Sequence, residues 1–156
     1  MLEKNQPAPE FSSPNQENRI VSLSAFRGKQ NVILYFYPKD DTPGCTIEAN
    51  QFAALAPDFA ALDTAIIGVS KDSCESHAAF IDKFGLNFDL LADTTGEVCD
   101  RYGVWQEKEK NGVKKMSIVR STFLIDKQGQ LQDVIYGVNP EQHAAEMLEK
   151  VKKLQA

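Results

Sequence analysis

The chain has 156 residues, of which 42% are hydrophobic and 25% are charged, a size and composition typical of one globular domain, expected here over residues 1–156. Acidic residues outnumber basic ones by 22 to 17, and the formal net charge is −5. Because this sign opposes contacts to phosphates, DNA and RNA are not expected partners. The first seven residues lack the apolar run of a secretory signal, and no stretch approaches the roughly 18 apolar residues of a membrane span. We therefore expect a cytoplasmic protein without membrane contact.

Two apolar segments in the first half of the chain predict neighbouring strands. Residues 32–37 are apolar without alternation, the pattern of a central strand covered on both faces. Residues 65–69 repeat this pattern after a helical segment. The order strand, helix, strand predicts a right-handed crossover and parallel pairing.

Helix signals surround the second strand. The first helix is expected to begin near Pro43 or Gly44 and to break at Pro57. A second helix should begin after Asp72 or Ser73 and run to about residue 84, where Gly85 ends it. Three apolar side chains of the first helix are expected to point inward: Ile47, Phe52 and Leu55.

The second half of the chain predicts shorter elements. Residues 88–91 indicate a strand and residues 95–102 a short helix, while the charged residues 106–115 contain an Asn-Gly turn and predict a solvated loop or hairpin tip. Residues 117–125 and 131–136 predict an antiparallel hairpin.

The last helix should use Asn139 as its N-cap and Pro140 in its first turn. Its apolar stripe comprises Met147, Leu148, Val151 and Leu154. Strands and helices thus alternate first, and a hairpin and a terminal helix follow. This order predicts an α/β, thioredoxin-like fold in which a central mixed β-sheet has helices on both faces.

Cys45 lies just beyond the first central strand, at the carboxyl edge where reacting groups collect in open α/β sheets. Pro43 and Gly44 form the turn into the helix, so Cys45 should lie in the first helical turn, where unpaired amides favour a thiolate. The hydroxyl of Thr42, three residues earlier, is expected to lie within reach of the sulfur. Taken singly, a buried thiol and a helix cap are the commoner roles of these two residues. The coincidence of strand end, turn and helix start instead favours a reactive site.

A cation beside the sulfur would stabilise the thiolate further, and Arg120 is the candidate. It interrupts an otherwise strand-like apolar run, where an unpaired arginine is rare. Alternation puts it on one face with Ile118, Thr122 and Leu124. Either that face opens on a polar site, or Arg120 is an ordinary surface residue near an edge.

The three cysteines, Cys45, Cys74 and Cys99, are an odd number and include no C-x-x-C pair. A static disulfide framework therefore cannot use all of them. The two histidines are far apart in sequence, and Cys74 with His77 lacks a further ligand nearby. No metal site is expected.

These residues resemble the peroxiredoxin family. Pro38, Thr42 and Cys45 match its P-x-x-x-T-x-x-C motif at every specified position, and Arg120 matches its distant active-site arginine. The sequence around them resembles the peroxiredoxin Q, or bacterioferritin comigratory protein, branch, and the similarity runs through nearly the whole chain.

The resemblance implies a thioredoxin-fold peroxidase for hydrogen peroxide and small organic hydroperoxides. Cys45 would attack the peroxide and become a sulfenic acid, later reduced by thioredoxin or by a glutaredoxin or glutathione-type thiol. Pro38 would shield the thiolate from water, while Thr42 and Arg120 would orient the peroxide and stabilise charge on the breaking bond. Glu48 suits the start of its helix and could also hold Arg120 in place. No metal or organic cofactor is implied, and analogy with relatives suggests a monomer.

The sequence leaves the resolving thiol open. Many members of the branch carry a second cysteine on the first helix, where this chain has Asn50, or on the following helix, where it has Ile81. Cys74 starts the helix after the neighbouring parallel strand and is the preferred internal resolving cysteine. Cys99, on the short helix, ranks below it. Direct attack on the sulfenic acid by an external thiol is the third possibility.

Two other functions fit the same fold. A thiol-disulfide oxidoreductase usually needs two cysteines separated by two residues, and residues 43–48 contain only Cys45. A redox-responsive binding protein would keep the reactive cysteine without turnover.

Overall fold

The computed structural model describes the backbone of residues 1–155 and the side chains of residues 1–154. The expected domain, residues 1–156, extends one residue beyond this described part. The elements in chain order are β1 (Ser12–Pro14), β2 (Ile20–Ser22), a 3-10 helix (Leu23–Phe26), β3 (Asn31–Phe36), α1 (Pro43–Ala60), β4 (Thr64–Ser70), α2 (Cys74–Phe84), β5 (Asp89–Ala92), α3 (Glu97–Arg101), β6 (Trp105–Lys110), β7 (Val113–Ile118), β8 (Ser121–Ile125), β9 (Leu131–Tyr136) and α4 (His143–Gln155).

The central sheet has five strands in the order β5-β4-β3-β8-β9. β3 pairs in parallel with β4, which pairs in parallel with β5. On the other side β8 runs antiparallel to β3, and β9 runs antiparallel to β8. All six residues of β3 are buried, as expected for a central strand. The predicted mixed sheet and hairpin are confirmed.

Helices cover both faces of this sheet. The crossovers from β3 to β4 and from β4 to β5 move in the same direction, so right-handed connections put α1 and α2 on one face. α4 packs beside α1 there, and one apolar cluster fills the space beneath them. The opposite face is covered by α3, the 3-10 helix and the N-terminal segment around a second cluster. The thioredoxin-like arrangement is confirmed.

Both ends of α2 follow the signals in the sequence. The hydroxyl of Ser73 accepts a hydrogen bond from the amide of Ser76 at 3.1 Å, and Gly85 adopts the left-handed conformation (φ 66°) that ends the helix. The inward stripe of α4 is also confirmed, with Met147 and Val151 fully buried.

Two expectations for α1 are wrong. The helix continues through Pro57 to Ala60. Pro57 offers no amide to the carbonyl of Ala53, but the side-chain amide of Asn87 donates to that oxygen at 3.2 Å. Ile47 is 39% exposed, because Cys45 and Phe52 define the inward face of α1 and Ile47 is turned away from it.

The expected strand over residues 117–125 is two strands. β7 pairs with β6 in a separate two-stranded sheet, whereas β8 enters the central sheet. Val119 and Arg120 lie between them, where the chain passes from one sheet to the other. Alternation along a single strand therefore does not fix the direction of the Arg120 side chain.

The last helix begins at His143, later than expected. The Asn139 side chain accepts from the amide of Glu141 at 3.0 Å and closes a local turn, and Gln142 has a φ of 63° that cannot continue a helix. The β1–β2 hairpin and the 3-10 helix were not predicted. Within residues 1–155, no helix combines the length and apolar character that crossing a bilayer requires.

Candidate active site

Cys45 lies in the first turn of α1, as predicted, at the carboxyl end of β3. Thr42 is the N-cap residue and Pro43 opens the helix, where a missing amide costs no helical hydrogen bond. The amide of Thr46 donates to the carbonyl of Thr42 at 2.8 Å. Cys45 itself is 2% exposed. The sulfur is therefore largely desolvated beside the amides of a helix N-terminus.

Arg120 joins Cys45 to Glu48. Its Nη2 donates to the Cys45 sulfur at 3.3 Å, and its Nη1 donates to Oε1 of Glu48 at 2.8 Å. The arginine side chain is 15% exposed. In this geometry the guanidinium faces Cys45 and Glu48, and little of it reaches solvent.

The sheet register explains how Arg120 reaches a residue that precedes it by 75 positions. Ser121, the first residue of β8, pairs with Phe36, the last residue of β3. Arg120 thus lies beside the carboxyl end of β3, where residues 37–42, called here the Cys45 loop because they lead to Cys45 in α1, begin. Its own carbonyl accepts hydrogen bonds from the amides of Gly137 and Val138 at 3.0 and 2.8 Å. These bonds fix the backbone from which the guanidinium extends.

Glu48 lies three residues after Cys45, on the same inward face of α1, and is fully buried. Its Oε2 has no hydrogen-bond partner among the described side chains and backbone groups. Burial raises the pKa of Glu48 to about 7, since desolvation outweighs the attraction of Arg120. Burial would lower the pKa of Arg120, but the negative charges of Glu48 and Cys45 raise it. The guanidinium therefore stays charged between the two groups.

Thr42 and Pro38 complete the motif. The hydroxyl of Thr42 donates to the carbonyl of Lys39 at 2.8 Å, so its hydrogen points away from the sulfur. The expected direct contact between this hydroxyl and Cys45 is not among the described hydrogen bonds. The lone pairs of the hydroxyl oxygen are left to accept a hydrogen. Pro38 is exposed at the start of the loop.

A buried polar network, not predicted from the sequence, holds this loop against α2. Nδ1 of His77 lies 2.7 Å from Oδ2 of Asp40, and Nε2 of His77 lies 2.9 Å from the carbonyl oxygen of Leu91. Tyr37 donates its hydroxyl hydrogen to Oδ1 of Asp40 at 2.6 Å. Although burial opposes ionisation, the bonds from His77 and Tyr37 lower the pKa of Asp40. A signal was available, because His77 lies three residues before the apolar Phe80 on the inward face of α2.

The same network accounts for a cluster of metal-type ligands. Donor atoms of Asp40, Asp72 and His77 lie within 4.8 Å of one another. However, Oδ2 of Asp72 accepts from the Ser70 hydroxyl at 2.7 Å and from the Asp40 amide at 2.8 Å. These hydrogen bonds give the cluster a structural role in the loop.

The other two cysteines lie in different surroundings. Cys74 is half-buried at the first residue of α2, and its sulfur donates to Oδ1 of Asn18 at 3.9 Å. Cys99 is fully buried on α3, in the apolar cluster on the face of the sheet opposite to Cys45. Burial and the neighbouring Asp93 raise the pKa of the Cys99 thiol well above its ordinary value. All three cysteines are free thiols.

Comparisons with known proteins agree with this geometry. The AhpC/TSA family model matches residues 5–134. The chain belongs to the AhpC/TSA family.

Individual relatives define the branch. The chain is 43% identical to the putative peroxiredoxin bcp of Coxiella burnetii over 147 residues, 94% of this chain and 97% of that protein. It is also 43% identical to peroxiredoxin Bcp of Bacillus subtilis, over 98% of this chain and 97% of that protein. A structure of the Xanthomonas campestris bacterioferritin comigratory protein, described for its alkyl peroxide reduction activity, superposes with a TM-score of 0.89 at 34% identity and covers 94% of this chain and 92% of its own. The chain is thus a peroxiredoxin of the Bcp branch, a thiol peroxidase.

We predict that Glu48→Gln removes a pH-dependent cost to stability. In the folded protein the pKa of Glu48 is raised to about 7 from 4.5, so the folded state favours the protonated carboxyl. The stability of the folded state relative to the unfolded state therefore falls as the pH rises from 4.5 through 7. The stability of Glu48→Gln relative to wild type should therefore rise by about 2 kcal/mol between about pH 5.5 and pH 8.5.

Urea unfolding at the two pH values measures this difference. The control is Asn50→Ala, a change at an exposed position of the same helix. The stability of this variant relative to wild type should not depend on pH. A difference between Glu48→Gln and wild type that stays constant over this range would show that Glu48 is already ionised at the lower pH.

We also predict that Gly44→Ala displaces the guanidinium. An added Cβ at Gly44 would lie 3.2 Å from Nη2 of Arg120 and 3.5 Å from Cγ of Pro140. Since alanine favours the helix, folding should be retained. The rate constant with peroxide should fall about tenfold, as expected for partial loss of a charged hydrogen bond. Stopped-flow kinetics measures it, with Asn50→Ala as the control, and a wild-type rate for Gly44→Ala would contradict the assigned contact.

Proposed function

We propose that Cys45 is the peroxidatic cysteine and that it reduces hydrogen peroxide and small organic hydroperoxides. The observation that carries this proposal is the hydrogen bond from Arg120 to the Cys45 sulfur at 3.3 Å, in a site where the sulfur is almost fully buried. A guanidinium at this distance favours the thiolate, which is the nucleophile.

The reaction follows from this arrangement. The thiolate of Cys45 attacks one peroxide oxygen, a sulfur–oxygen bond forms, and the oxygen–oxygen bond breaks. Cys45 becomes a sulfenic acid, while the leaving hydroxide or alkoxide takes a proton and departs as water or an alcohol. Arg120 then faces the developing negative charge, and the Thr42 oxygen accepts the hydrogen of the bound peroxide. Pro38 limits the approach of water to the loop.

The rival functions lack support in the site. Residues 43–48 hold no second cysteine for a thiol-disulfide oxidoreductase. The charged contact between Arg120 and Cys45 favours turnover over a passive binding role, and the alkyl peroxide activity described for the Xanthomonas campestris relative supports organic hydroperoxides as substrates.

We further propose that Cys74 resolves the sulfenic acid. Cys74 and Cys45 both lie at the starts of helices on one face of the sheet, whereas the sheet separates Cys99 from Cys45. A disulfide needs the two Cα atoms within about 7 Å, so the first turns of α1 and α2 would unwind locally. Thioredoxin or a glutaredoxin or glutathione-type thiol would then reduce the disulfide.

Two properties complete the proposal. Three free thiols are typical of a reducing compartment, which supports a cytoplasmic location. The exposed large apolar side chains are spread over the N-terminus, β2, α1 and β7, which supports a monomer.

Stopped-flow measurement of hydrogen peroxide consumption with dithiothreitol tests the assignment of Cys45. The wild-type protein should turn over, and Cys45→Ser should reduce the rate by about a thousandfold or more, because no other thiol in the site replaces the nucleophile. Cys99→Ser is the control and should keep the wild-type rate. Disulfide reduction by the wild-type protein without peroxide consumption would instead indicate an oxidoreductase.

Mass spectrometry after one equivalent of peroxide tests the resolving thiol. We expect an intramolecular Cys45–Cys74 disulfide in the wild-type protein and an accumulating Cys45 sulfenic acid in Cys74→Ser. A Cys45–Cys99 disulfide would assign the role to Cys99. A sulfenic acid that accumulates in the wild-type protein would indicate reduction by an external thiol.

A further inference from the structure

A basic groove borders the β3–α1 loop, which leads to Cys45. Its volume is about 390 Å³, and it lies between the β3–α1 loop, the β4–α2 loop and the β6–β7 hairpin. We call it the lysine groove. Its lining includes Lys39, Lys71, Lys115, Pro38, Trp105 and Met116.

The charge of the lysine groove is opposite to that of the whole chain. Four lysines elsewhere pair with carboxylates: Lys83, Lys127, Lys150 and Lys152. In contrast, none of the three groove lysines has a carboxylate within 4 Å among the described residues, and no acidic residue lines the groove. A local positive patch on a chain of net charge −5 attracts an acidic partner.

Trp105 and Met116 also line the groove and offer contacts beyond charge. The Lys71 ammonium lies 4.0 Å from the centre of the Trp105 ring, and Met116 is 44% exposed. Tryptophan and methionine are enriched in protein interfaces, since they bury apolar area and methionine adapts to different partner shapes. A lining of lysines and apolar side chains therefore fits the surface of a protein better than a simple inorganic anion.

The position of the groove relates it to the redox cycle. Lys39 precedes Cys45 on the β3–α1 loop, and Lys71 precedes Cys74 on the β4–α2 loop. Two of the three segments that line the groove thus lead into the proposed peroxidatic and resolving cysteines. A molecule seated there contacts both segments, whichever cysteine holds the oxidised sulfur.

We propose that the lysine groove docks the acidic surface of the protein that reduces the oxidised enzyme. This inference rests on the proposed function, because a reductant is needed only if Cys45 is oxidised by peroxide. The partner carries two thiols near acidic side chains. Two electrons and two protons pass from them to the oxidised cysteine pair, which returns to two thiols as the partner forms its own disulfide.

Steady-state peroxidase assays with thioredoxin of net negative charge, thioredoxin reductase and NADPH test the docking surface. In Lys71→Gln/Lys115→Glu the KM for thioredoxin should rise about tenfold, whereas turnover supported by dithiothreitol should match that of the wild-type protein. Added sodium chloride should raise the KM of the wild-type protein and have little effect on the variant.

The matched control is Lys29→Gln/Lys153→Glu, which carries the same charge change on exposed lysines away from the groove. It should keep the wild-type KM for thioredoxin. If the double groove variant does not fold, Lys115→Glu alone, on an exposed position of β7, provides the same comparison with a smaller increase in KM.

Each of the following three outcomes would overturn the docking proposal. An unchanged KM for thioredoxin would show that the groove does not contact the reductant. A higher KM for a carboxylate-bearing hydroperoxide, with an unchanged KM for thioredoxin, would make the groove part of the substrate site. Slower turnover with dithiothreitol would mean that the lysines serve the peroxide reaction. Failure of the proposed function is distinct, because the wild-type protein would then show no Cys45-dependent turnover with dithiothreitol.

Discussion

A single guanidinium connects Cys45, the proposed nucleophile, to the rest of the site. Arg120 donates to the Cys45 sulfur and to Glu48, two residues on one face of α1. In this largely desolvated position an unpaired thiolate would be costly, as would an unpaired guanidinium. Each group therefore depends on the others. The buried carboxyl of Glu48, with its raised pKa, makes this arrangement sensitive to pH in the neutral range.

The fold supplies this contact through a change of sheet. The chain leaves the β6–β7 hairpin at Ile118 and enters the central sheet at Ser121, beside the end of β3. Arg120 lies in the short connection, where its backbone carbonyl is held by two amides from the segment after β9. On the other side, Asp40 and His77 hold the Cys45 loop against α2. Both sides of the site are fixed by hydrogen bonds.

Much of this was predictable from the sequence, for local reasons. The continuous apolar run of β3, the turn at Pro43 and the left-handed Gly85 each specify structure within a few residues, and they gave the sheet, the position of Cys45 and the end of α2 correctly. The continuation of α1 through Pro57 was missed because it depends on Asn87, a distant residue that satisfies the freed carbonyl. The direction of Arg120 was undecided because it depends on pairing between strands far apart in sequence.

The most direct test of this account is the ultraviolet titration of the Cys45 thiolate. In a Cys74→Ser/Cys99→Ser background Cys45 is the only thiol, so below the pH range in which tyrosines ionise the change in absorbance reports the ionisation of Cys45. The account predicts that Arg120→Met lowers the fraction of Cys45 present as thiolate at neutral pH, because the charged donor beside the sulfur is lost. Identical titration curves with and without Arg120 would contradict it.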